Sequence, residues 1–80
     1  MPKTASGAFV VKLLVKHFEF SIISQKGSHV KLKKYISVGE LITIVPMHKE
    51  LARGTLKGIL RLARIEFTEF EPYLLGKKKK

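Results

Sequence analysis

At 80 residues with 45% hydrophobic content, the chain has the material for one domain with a single covered sheet face. It contains no cysteine, which excludes disulfide stapling and thiolate chemistry, and no apolar run approaches the length of a bilayer span. Sixteen Lys and Arg against six Glu and no Asp give a formal charge of +10, a surplus that points to a polyanion, with nucleic acid ahead of an anionic membrane surface.

Met1–Ala5 reads as a loose leader without a signal-peptide pattern, so a cytoplasmic location is expected. Ser6 is placed to cap a helix whose apolar positions Val10, Leu13, Leu14 and His17/Phe18 follow helical spacing, with Lys12 and Lys16 on the wet side. At Phe18 the period changes. Phe18, Phe20 and Ile22 alternate with Glu19 and Ser21, which predicts a half-buried strand. Lys26-Gly27-Ser28 reads as a tight turn, and Val30 and Leu32 alternate with His29, Lys31 and Lys33 in a second strand.

Ser37–Glu40, centred on Gly39, predicts the next turn, and Leu41–Val45 a third strand that Pro46 stops. Met47–Arg53 reads as a loop or short helical turn. From Thr55 the stripe Leu56, Ile59, Leu60 and Ala63 predicts a helix with Lys57, Arg61 and Arg64 off it. Thr68-Glu69-Phe70-Glu71 has the spacing of a capping box, which predicts a short last helix limited by Pro72. Lys77–Lys80 reads as a disordered basic arm able to touch phosphate; without it the body still carries +6.

This order, α-β-β-β-α with a short final helix, predicts an α+β fold over residues 6–75 as a single domain. Its sheet is expected to be three-stranded and antiparallel, with helices on one face and water on the other, as in double-stranded-RNA-binding domains.

The residues available for chemistry are few. A metal-dependent nuclease clusters carboxylates around hard cations, but the six Glu are scattered, and three His without Cys show no metal-ligand spacing. Walker and dinucleotide glycine motifs are absent, so no metal or other cofactor is expected. What remains is metal-free acid–base chemistry, to which histidine is suited near neutral pH. His17, ending the first helix, is expected to be structural, and His48 to lie in the loop after Pro46. His29 follows a glycine turn directly and shares strand parity with Lys31 and Lys33, away from Val30 and Leu32. One imidazole beside two ammonium groups suits holding a phosphodiester and moving a proton; an ordinary exposed histidine on a basic strand fits the same pattern.

At this point the residues resemble a known family. Gln25-Lys26-Gly27-Ser28-His29 is similar to the turn-and-strand signature of the HicA toxins. Val45-Pro46-Met47-His48-Lys49-Glu50-Leu51, followed by Gly54-Thr55-Leu56 and Ile59-Leu60, resembles the same family's strand end, loop and second helix. The resemblance runs from about Ser6 to Phe70. It implies a double-stranded-RNA-binding-domain-like fold, mRNA cleavage with no known cofactor, a catalytic histidine at His29, and a HicB antitoxin that covers the active site. There are departures: His17 stands where the family usually has glycine, and Lys34–Glu40 lacks an Asp-Gly type turn, which predicts a longer or looser second hairpin.

The expected activity is therefore a metal-independent endoribonuclease toxin in which His29 acts as general base or as acid. Lys26, Lys31 and Lys33 would stabilise the phosphorane-like state, and Gly27 and Ser28 would contact RNA. No second catalytic residue stands out. The alternative is a non-catalytic RNA-binding module of the same fold.

The third strand poses a separate question, because it is apolar on both parities: Leu41, Thr43 and Val45 on one, Ile42 and Ile44 on the other. Either it is a central strand shielded on its outer side, or its outer face is where a partner docks.

Overall fold

A computed structural model describes residues 5–76, in the order α1 (Gly7–His17), β1 (Ser21–Lys26), β2 (His29–Ile36), β3 (Gly39–Pro46), α2 (Arg53–Ala63) and α3 (Phe67–Leu74). The Lys77–Lys80 arm and most of the expected leader lie outside the described residues.

Helix α1 begins as its sequence requires. The Ser6 Oγ accepts a hydrogen bond from the Phe9 N–H at 3.0 Å, and Val10, Val11, Leu13 and Leu14 form the buried side. The chain then leaves the helix through Glu19, whose φ of 66° is a left-handed conformation, and the Phe20 N–H returns to the Leu14 carbonyl at 3.1 Å.

This reversal corrects the expected first strand. Pairing starts at Ser21, not Phe18, and none of the six residues of β1 is buried. Phe20 goes into the core before the strand begins, whereas Ile22, on the edge strand, lies 54% exposed. Phe18 packs instead against the last helix, with ring centroids 5.7 Å from Phe70 and 5.4 Å from Tyr73.

The sheet is an antiparallel meander in the order β1-β2-β3. The first hairpin turns on Gly27-Ser28, with Gly27 at φ 58°, the positive value that two-residue loops of type II′ require at their first position. The second hairpin is also tight. Ile36 pairs with Gly39, so only Ser37 and Val38 form the loop, and the looser connection expected from the missing Asp-Gly does not occur. Gly39, at φ 142°, supplies the freedom that an Asp-Gly pair would have given. A salt bridge from Lys33 Nζ to Glu40 Oε1 at 2.9 Å, with the Lys33 ammonium 5.2 Å from the Tyr35 ring centre, joins the two strands beside this turn.

Val30, Leu32, Thr43 and Val45 point to the inner face, where α1, α2 and α3 enclose the core with Leu51, Leu56, Ile59, Leu60 and Phe70. Burying a side chain of this size is worth roughly 1.5–3 kcal/mol, which is why parity along β2 and β3 decides the fold. Thr43, fully buried, is satisfied by donating its hydroxyl to the Ile59 carbonyl at 2.9 Å, and so pins α2 to β3.

Helix α2 ends at Arg64, left-handed at φ 58°, and α3 starts two residues earlier than the Thr68…Glu71 spacing suggested. Glu66 is the cap residue, and the Glu69 carboxylate accepts its backbone N–H at 3.0 Å. Pro72 thus falls in the second turn of α3.

Candidate active site

On the open face of the sheet, the register sets residues in rows. Lys26, His29 and Pro46 form one row; Ser24, Lys31 and Ile44 the next; Ser21, Lys33 and Ile42 the third. Directly paired residues in an antiparallel ladder hold their Cβ atoms about 4.5–5.5 Å apart, so members of a row are neighbours. His29, Lys26 and Lys31 are all exposed.

The position of Lys26 depends on an irregularity. Strict alternation from outward-facing Ser21 would turn Lys26 to the inner side. The pairing shifts between Ile22 and Ser24, and this β-bulge flips the rest of β1, which brings Ser24 and Lys26 to the face of His29.

Ser24, Gln25, Lys26, His29, Lys31 and Ile44 line an open depression of about 720 Å³. Two of the three candidate lysines are therefore beside the imidazole, and no carboxylate lines the hollow. Lys33 stands apart. Its ammonium is held by Glu40, and the hydrogen bond to that carboxylate raises its pKa above the ordinary lysine value. Gln25 enters the sequence reading only as part of the turn signature, and Ser24 not at all; the bulge that turns Ser24 outward leaves no mark in the residue pattern.

The turn before His29 is tied down. The Met47 N–H donates to the Ser28 carbonyl at 2.6 Å, and the Gly7 N–H donates to the His48 carbonyl at 2.9 Å. Beneath this contact α1 meets the Pro46–Met47 backbone. Gly27 has open space where a Cβ would stand, so a ligand can approach the turn closely.

The other histidines are placed elsewhere. His17 stacks on Tyr73, with centroids 4.3 Å apart and planes 26° from parallel, which fits the structural role expected of it. His48 is exposed in the loop after Pro46. Among the described residues, no group of three or more His, Cys, Asp or Glu could hold a metal ion.

Ile42 and Ile44 bear on one of the two explanations offered for the third strand. Both lie on the open face, 39% and 42% exposed, while Thr43 and Val45 are buried. β3 is an edge strand, so shielding as a central strand is not the explanation.

A family described as HicA toxin of bacterial toxin–antitoxin matches residues 8–65. The chain belongs to the HicA toxin family. The match runs from α1 to the end of α2 and takes in every residue of the depression. No individually curated protein matches the chain. Membership in the HicA family makes this a toxin of a toxin–antitoxin system, and hence a protein with an antitoxin counterpart. Among the described residues, no helix is long and apolar enough to cross a membrane.

Proposed function

We propose that this toxin is an endoribonuclease that cleaves mRNA without a metal ion, with residues 6–75 as the RNA-acting unit. The observation that carries the reading is the grouping of His29 with Lys26 and Lys31 in one exposed depression free of carboxylates. RNA is held there through its phosphates, and Gly27 and Ser28 let the backbone come close.

Cleavage requires removal of the proton from a ribose 2′-hydroxyl, attack of that oxygen on the adjacent phosphorus, and protonation of the departing 5′-oxygen. His29 performs one of the two proton transfers, a contribution typically of about 10²–10⁴-fold. Lys26 and Lys31 face the charge that builds on the phosphorane oxygens, where cationic groups already in place stabilise the transition state most. Lys33, paired with Glu40, serves at longer range along the bound strand.

The antitoxin is of the HicB type, and it docks on the open face, over Ile42 and Ile44 and the lysines beside them. Exposed apolar residues bordered by charge commonly mark such interfaces. Occupation of this face blocks RNA directly.

The test is incubation of metal-free protein with end-labelled single-stranded RNA in saturating EDTA. Shorter products ending in a cyclic phosphate, or in the phosphate derived from it, are expected. Strict Mg²⁺ dependence or 5′-phosphate ends would overturn the mechanism, and binding without cleavage would make the protein an RNA-binding module.

A further inference from the structure

A second basic surface lies on the helical side of the molecule. Lys57, Arg61 and Arg64 are exposed along one flank of α2, with Arg53 a turn earlier, and α2 contains no acidic residue. Turns of helix rise about 5.4 Å, so these cations form a ladder of regularly spaced charges. Lys57, Arg61 and Arg64 make no ion pair among the described residues.

The ladder borders a groove. Where α2 passes into α3, Lys57, Arg61 and Arg64 form the rim of a hollow of about 530 Å³, with Leu60, Ile65 and half-buried Phe67 also lining it. The one carboxylate in the lining is that of Glu66. Cations over an apolar lining that includes an aromatic ring are what a nucleotide segment needs: charge for its phosphate, and an apolar surface for its base.

We propose that this groove is a second, non-catalytic contact for the same RNA, holding phosphates on Lys57, Arg61 and Arg64 and a base against the ring of Phe67. The inference rests on the ribonuclease reading above. The buried side of α2 packs on the inner face of β3, whereas His29 stands on the open face. RNA that touches both sites therefore passes around the edge of the domain. Such a contact adds affinity without reading sequence, since phosphate contacts position a nucleic acid and do not specify it. It also stays available when a partner occupies the sheet.

The experiment compares Lys57→Gln/Arg61→Gln with the parent chain on two substrates. Affinity for a long single-stranded transcript is measured against salt in a His29→Ala background, so that the RNA stays whole. The double variant should bind at least about tenfold more weakly, with a salt slope shallower by about 1.4, two phosphates at about 0.7 each. With His29 intact, kcat/KM for a dinucleotide, whose single phosphodiester can occupy only the His29 site during cleavage, should change by less than about twofold.

An unchanged salt slope on the transcript would overturn the proposal, as would an equal loss on both substrates, which would mark a general charge effect. Weakened antitoxin binding with RNA binding unchanged would assign the groove to the antitoxin instead. The single variants Lys57→Gln and Arg61→Gln each carry half the expected change in slope, which keeps the test intact if the double variant folds poorly. A parent protein that neither binds nor cleaves RNA would overturn the proposed function, and this inference with it. RNA binding by the parent that the variants leave unaltered overturns this inference alone.

Discussion

The carbonyl of Pro46 occupies the space that a Cβ on Gly7 would need, and Met47 Cα lies 2.9 Å from the same point. Here the first turn of α1 rests directly on the end of β3, and both neighbours are backbone, which cannot swing aside. Met47 in turn holds the Ser28 carbonyl, so this contact supports the turn that presents His29.

Gly7→Ala should therefore destabilise the protein by about 3 kcal/mol or more, at the upper end of the usual overpacking penalty. For a domain of this size that is a fall in Tm of at least roughly 10 °C. Thermal unfolding followed by circular dichroism checks it. A change within experimental error would show that the helix shifts without cost.

The two structured histidines should separate activity from stability. His29→Ala removes an exposed side chain, so stability should stay within about 0.5 kcal/mol while cleavage and growth toxicity disappear. His17→Ala loses the stack on Tyr73 and should cost roughly 0.5–1.5 kcal/mol with cleavage retained. His48→Ala, exposed and outside the depression, should alter neither greatly. Full cleavage by folded His29→Ala would remove that residue from the mechanism.

The lysines of β2 should also differ. Lys31 lines the depression with His29, whereas Lys33 is engaged by Glu40. Lys31→Ala should lower kcat/KM at least about tenfold, or 1.4 kcal/mol, and Lys33→Ala several-fold less. Equal losses would mean that the Lys33–Glu40 pair opens when RNA binds.

Ile42 and Ile44 permit a dissection of RNA from antitoxin. Ile44 borders the hollow that contains His29, but Ile42 lies one row further along the sheet. Ile42→Asp should weaken antitoxin binding by about 2 kcal/mol or more, the scale of an interface hot spot, and leave cleavage nearly intact. Ile44→Asp should weaken both. Calorimetric titration with antitoxin, beside the cleavage assay, decides this; unaltered antitoxin affinity in both variants would move the docking surface elsewhere.

Why some of this could be seen in the sequence and some could not follows from the physics of each element. Alternation of Val30 and Leu32 with His29, Lys31 and Lys33 is strict, because β2 is central and its first half is buried on one face, so the shared face of the imidazole and the lysines is legible. β1 is an edge with no buried residue, so burial imposes no pattern there, and neither its start nor its bulge was visible. The pairing of Lys33 with Glu40 depends on the register of the second hairpin, which two-residue closure at Ser37-Val38 sets. The capping arrangement of α3 was misplaced by two residues because glutamate, not threonine, stands at the cap.

The meander has a consequence for the order of folding. Both hairpins close over two residues, so β1, β2 and β3 can zip through neighbours in the chain at little loop-closure cost. Helix α1, by contrast, is anchored through Gly7 to His48 and through Ala5 to Leu51, partners far along the chain that exist in place only after β3 has formed. The hairpins should thus belong to the folding nucleus and the seating of α1 to the descent after the barrier. Conservative truncations at Val30 and Val45 should then slow folding, with φ-values above about 0.5, whereas truncations at Val10 should chiefly speed unfolding. A chain emerging from the ribosome would in that case complete the His29 turn before its own N-terminal helix has docked.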